Sequence, residues 1–110
     1  MNSSNKNPKS SLDMVLGYHH LGVLWRYCRE YNASPHEAQE AFQEMLKLLH
    51  VRSKAAKNRT QCGTAPTITE KLDRMWRSFM LYTEDYADFC KRYFGFFLGH
   101  PRDEQGRTGA

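Results

Sequence analysis

An all-α fold, a compact bundle of about four helices, is what this sequence predicts, and three observations predict it. Apolar residues recur at three- and four-residue steps along most of the chain, which gathers them on one face of a helix. Patterns that cap helix N-termini stand where two of these runs begin. No segment alternates apolar and polar residues as a half-buried strand does, and no internal repeat is present.

The first helix is expected over residues 12–31, with Leu12, Val15, Leu16, His19, Val23, Leu24, Tyr27 and Tyr31 on one stripe. Ser10 or Ser11 can cap its start, and Asp13 suits the positive end of the helix dipole. Gly17 and Gly22 each cost about 1 kcal/mol against Ala inside a helix. They therefore mark either the close approach of a neighbouring helix or a break near His19 and His20. Tyr31-Asn32-Ala33 reads as the turn. The second helix opens at Ser34-Pro35-His36-Glu37, where Ser34 is the N-cap, Pro35 takes the first helical position and Glu37 completes a capping box. It is expected to bury Ala38, Ala41, Phe42, Met45, Leu46, Leu48 and Leu49 and to reach His50 or beyond.

Residues 52–66 change character. No acidic residue lies between Glu44 and Glu70, and Arg52, Lys54, Lys57 and Arg59 place positive charge beside a negative helix terminus. A basic helix end followed by a loop is expected, and a loop of that length in a compact bundle is either functional or disordered. The third helix is expected to start within residues 67–70 and to carry Leu72, Met75, Trp76, Phe79 and Met80 on its apolar stripe. Thr83 restarts the chain, with Glu84 and Asp85 in the first turn of a fourth helix. That helix is expected to run through Tyr86, Ala87, Phe89, Cys90, Tyr93, Phe94, Phe97 and Leu98 and to stop at Gly99, with Pro101 just beyond. Polar residues 1–10 and 102–110 read as a flexible arm and tail around one domain, residues 11–101.

Composition narrows the class. With 40% hydrophobic and 25% charged residues the chain matches a globular domain rather than a disordered one. A formal net charge of +4 permits an acidic protein surface or nucleic acid as partner, and chooses neither. Cys28, Cys62 and Cys90 make an odd count, and the first eleven residues hold no apolar signal-peptide core. A reducing, cytoplasmic setting is expected, with no membrane span.

The stretch Leu72-Asp73-Arg74-Met75-Trp76-Arg77-Ser78-Phe79-Met80-Leu81-Tyr82-Thr83 is distinctive, as is its continuation through Tyr86, Phe89-Cys90, Phe94-Gly95 and His100-Pro101. Together they resemble an uncharacterised bacterial and plant family related to glycine-rich domain-containing proteins. The family pattern is an Asp, a Trp-His pair, an aromatic-apolar-Leu run, Thr, Tyr, Phe-Cys, Phe-Gly and a closing His-His with Pro. The likeness covers the last third of the chain in detail, and the glycine-rich tail of the plant members is missing. Arg77 replaces the His of the Trp-His pair, and Gly99-His100 replaces His-His. If the family's histidines bind a metal, the resemblance implies a degenerate site here, since one remaining His cannot hold a structural zinc.

The polar residues suggest little chemistry. His19, His20, His36, His50, His100 and the three cysteines form neither Cys-x-x-Cys nor His-Glu-x-x-His, so no metal or cofactor is expected. Cys62, in a polar Gly-containing stretch near basic residues, has no identifiable oriented base. Glu84–Asp85 reads as helix N-terminal charge and Asp103–Glu104 as solvated tail. Lys47, Arg52, Lys54, Lys57 and Arg59 form a basic strip that suits phosphates, though no nucleic-acid reader motif accompanies it. Phe96 lies off the main aromatic stripe and is expected to be exposed or buried in a partner.

The expectation is therefore a non-catalytic protein-interaction module, an adaptor or inhibitor of a larger assembly. Its contact residues would be Arg52, Lys54, Lys57, Arg59, Arg77, Phe96 and His100. Two alternatives stand beside it: nucleic-acid binding through the basic segment 47–59, and a degenerate metal-dependent enzyme.

Overall fold

A computed structural model describes residues 11–58 and 68–100, and among these it is all-α. Five helices follow in order: α1 (Ser11–Leu16), α2 (Leu21–Tyr31), α3 (Pro35–Asn58), α4 (Glu70–Met80) and α5 (Thr83–Tyr93). Residues 1–10, 59–67 and 101–110 lie outside the described residues, and with them the expected arm and tail, the greater part of the expected loop at 52–66, Cys62 and Pro101. No helix among the described residues is long and apolar enough to cross a membrane.

The single helix expected over residues 12–31 is two helices. Gly17 N–H bonds back to the Met14 carbonyl and Tyr18 N–H to that of Val15, which closes α1 in a tight turn. The next three residues leave helical geometry, and Tyr18 turns inward against the rings of Phe42, Phe79 and Phe89. His19, expected on the apolar stripe, is exposed instead. His20 caps α2: its Nδ1 accepts the Val23 N–H at 3.1 Å, which leaves the proton on Nε2 for Asp85 Oδ2 at 2.7 Å. A bare Nδ1 cannot accept and donate at once, so the cap fixes the tautomer.

Gly22 marks a close approach at this corner. A Cβ there would come within 3.1 Å of His20 and 3.2 Å of Tyr82, whose hydroxyl donates to the Gly22 carbonyl at 3.0 Å. The start of α2 thus lies close against the end of α4, and a methyl there would require the His20 and Tyr82 side chains to shift by a few tenths of an ångström. Asn32 ends α2 in the left-handed region, at φ 54°, a conformation Asn tolerates better than most residues.

The capping box expected at Ser34 and Glu37 is present. Glu37 N–H donates to Ser34 Oγ at 3.1 Å and Ser34 N–H to Glu37 Oε1 at 2.9 Å. From this start α3 runs 24 residues and forms the spine, packed by α1, α2 and α4. Ala38, Ala41, Phe42, Met45, Leu46, Leu48 and Leu49 are all buried along it. The N-cap of α4 is Thr69, whose Oγ1 accepts from Leu72 N–H at 3.2 Å, within the expected start at 67–70.

The last helix is shorter than its apolar pattern suggests. It stops at Tyr93, and Gly95 at φ 88° turns the chain, with the Phe94 and Gly95 N–H groups both on the Cys90 carbonyl. Gly99 therefore terminates nothing. Beyond Gly95 helical periodicity no longer assigns faces: Phe97 is 54% exposed, while Phe96 is half-buried against the core.

Candidate functional site

The residues that carry the family resemblance converge, and what they build is a latch. Trp76 and Tyr86 are buried, one on α4 and one on α5. Trp76 Nε1–H donates to Tyr86 Oη at 3.0 Å, and Tyr86 donates in turn to the Leu98 carbonyl at 2.6 Å. That chain of bonds ties the segment after Gly95 back across the helix pair. One turn away, His100 Nε2 donates to Asp73 Oδ1 at 2.7 Å, while Arg77 Nε sits 3.7 Å from Asp73 Oδ2. The His100 ring also packs on Trp76 at 4.7 Å between centroids.

Cys90 belongs to the same knot. Burial pushes its thiol up, and it lies within hydrogen-bond range of Leu98 and Tyr86. Burial likewise pushes the Tyr86 phenol far up. Both groups are held in their neutral, hydrogen-bonding forms, the wrong state for a nucleophile or a general base.

A cleft of about 360 Å3 opens beside this latch, between α2 and α4, lined by Glu30, Tyr31, Arg77, Ser78, Leu81 and His100. A His oriented by a carboxylate at the wall of a cleft has the geometry of a catalytic pair. Yet His100 is 1% exposed, and its Nε2 is committed to Asp73. The expectation that His100 meets a partner at the surface is corrected accordingly: its place is interior. Arg77 is exposed, with Leu81 one turn on at 60% exposure. Among the described residues, no three His, Cys, Asp or Glu side chains are grouped to hold a metal ion.

The described basic residues of α3 do not all share one face. At about 100° per residue, Lys47 and Lys54 lie about 20° apart around α3 and Lys57 about 60° from Lys54, whereas Arg52 points some 160° away from Lys54. Arg52 is half-buried, and that burial pulls its guanidinium down. Lys54 and Lys57 share a face with His50 and Ser53, and this face lines a separate cavity with Tyr93 and Phe94. Arg59 lies outside the described residues. On the described part of this segment the exposed basic face is therefore formed by Lys47, Lys54 and Lys57, without Arg52.

A second apolar face went unread in the sequence. Leu21 is 69% exposed and Trp25 63% exposed, one helical turn apart on α2. With Leu24, Cys28, Pro35 and Gln39 they line a groove of about 170 Å3 where α2 meets the start of α3. The signal was available: Leu21, Trp25 and Cys28 recur at i, i+4 and i+7, a second stripe beside that of Val23, Leu24 and Tyr27. Two stripes on one helix mean that α2 is apolar on more sides than one bundle can cover.

The sequence matches no family model, and no curated protein or solved structure is detectably similar to it.

Proposed function

We propose that this chain is a non-catalytic protein-interaction module whose contact face is the outer side of α2. The observation that carries the reading is the exposure of Leu21 at 69% and Trp25 at 63% around the α2–α3 groove. Covering such side chains is worth about 1.5–3 kcal/mol each. Tryptophan is also the residue type most enriched among binding hot spots. Arg29, one turn beyond Trp25 and exposed, and the net charge of +4 favour a partner with acidic groups beside its apolar ridge.

The motif residues support the same reading from the other side. Asp73, Trp76, Tyr86, Cys90 and His100 are engaged in holding the C-terminal segment, which gives the resemblance a structural rather than a chemical content. Arg77 and Leu81 extend the exposed surface on α4.

The test is affinity purification of the tagged chain from native cells, with wild type and Trp25→Asp in parallel. Wild type is expected to recover a stoichiometric partner that Trp25→Asp loses. Thermal stability should change little, because the indole is already 63% exposed. Recovery of the same partner by Trp25→Asp, or of none by wild type, refutes the reading.

A further inference from the structure

The C-terminal half of α3 carries polar side chains where its apolar stripe should continue. Residues 38, 41, 42, 45, 46 and 49 are buried and apolar, and the next position in that register is Ser53, 5% exposed. His50, Ser53, Lys54 and Lys57 follow one another at steps of three, one and three, so they occupy a single face. That face is roofed by Ser11 from α1, by Tyr93 from α5 and by Phe94 just beyond it, and the space between holds about 230 Å3. Several waters would fit, at roughly 30 Å3 each.

Charge in this cavity has one sign. Among the described residues neither Lys54 nor Lys57 pairs with a carboxylate, although Lys71, Arg74, Arg77 and Arg92 all do. The sequence supplies no acid from residue 45 to residue 69. Two full positive charges outweigh the roughly half negative charge at the helix C-terminal pole. Three further lining residues, Ser11, Tyr93 and His50, carry side chains able to donate a hydrogen bond. Ser53 donates to the His50 carbonyl at 2.8 Å, which ties its side chain to the helix and exposes its oxygen only slightly.

We propose that this cavity binds a phosphate group, held between Lys54 and Lys57 with His50, Tyr93 and Ser11 as further donors. The two lysines neutralise a dianion. The ring of Phe94 gives an organic phosphomonoester an apolar wall, and inorganic phosphate needs only the polar half. The proposal does not depend on the α2 face.

The test is an NMR titration of the full chain with sodium phosphate, ionic strength held constant with chloride, following the His50 ring resonances. A saturable shift is expected in wild type. Lys54→Gln and Lys57→Gln should each weaken it about tenfold, the scale of a hydrogen bond to a charged group. Arg29→Gln removes the same charge from a distant, exposed site and should leave the affinity unchanged. A parallel titration with phenyl phosphate separates the sources: tighter binding assigns an organic phosphomonoester, equal or weaker binding assigns free phosphate. Absence of a saturable shift overturns the proposal. So does an Arg29→Gln loss as large as that of Lys54→Gln, which would mean a response to net charge alone.

Discussion

Replacing Tyr86 with Phe removes one oxygen and tests whether the motif residues form a latch. The oxygen takes the Trp76 indole N–H at 3.0 Å and gives its proton to the Leu98 carbonyl at 2.6 Å, in a side chain 1% exposed. Phenylalanine keeps the ring contacts with Phe79 at 5.0 Å and Phe97 at 5.3 Å. What changes is that one buried donor and one buried acceptor lose their partner. Each such loss costs about 1–3 kcal/mol, and Tyr86→Phe should cost about 2–4 kcal/mol once relaxation is allowed for. In a domain of this size that lowers Tm by about 10–25 °C. Urea denaturation gives the stability, and amide exchange shows where it is lost. Residues 94–100 should lose protection before α3 does, because their tie to α4 and α5 has been cut. A double-mutant cycle with Trp76→Phe should show a coupling of at least about 1 kcal/mol, since the two side chains share one bond. A loss below about 1 kcal/mol, with residues 94–100 as protected as before, would refute the latch.

Two further expectations follow from local geometry. Gly95→Ala should cost about 1–2 kcal/mol by denaturant titration, because φ is 88° and an L residue is strained there. The space around the new methyl is open, so Gly99→Ala, equally open, serves as the control with little effect. His50 gives a pH signature: burial first, then Lys54, hold its imidazole below the ordinary value of 6.5. As pH falls below 6.5 the unfolded chain takes up the proton before the folded one, so stability drops through the interval from 6.5 down to the folded value and is flat above it. His50→Gln should flatten that slope in thermal melts, and Lys54→Gln should raise the His50 midpoint in an NMR titration. A midpoint that does not move would remove Lys54 as a cause.

How legible the fold was varied with the kind of signal. Cap chemistry is local, and the Ser34–Glu37 box stands as the sequence implied, down to both reciprocal bonds. Periodicity found the buried face of α3 because that helix is continuous from Pro35 to Asn58. It failed where the helix is not continuous. His19 sits on a helical stripe only if residues 12–31 are one helix, and the break at Gly17 replaces it in the core with Tyr18. Phe97 fails for the same reason, since Gly95 ends α5 two residues before it. Tyr82, 60 residues away, packs tightly on Gly22, and no window of sequence contains both. The candidate contact residues fared unevenly. Arg77 is exposed, but His100 is interior because Asp73, 27 residues back, takes its ring nitrogen. The apolar face at Leu21 and Trp25 was legible in spacing alone, hidden by a neighbouring stripe equally apolar.

The geometry of α3 keeps the two proposed sites apart. Gln39 borders the α2 groove and Lys54 the polar cavity, on one uninterrupted helix. Fifteen residues at 1.5 Å each put them about 22 Å apart. Screening in physiological salt acts within about 8 Å, so a charge placed at one site is scarcely felt at the other. Trp25→Asp should therefore abolish partner capture and leave phosphate binding intact, and Lys54→Gln should do the reverse. A helix whose inner face is apolar along its first four turns and polar along its last two is a rigid spacer between two surfaces with different chemistry. The latch of Trp76, Tyr86 and His100 contributes to both only indirectly, by fixing the end of α5, whose Tyr93 and Phe94 wall the cavity.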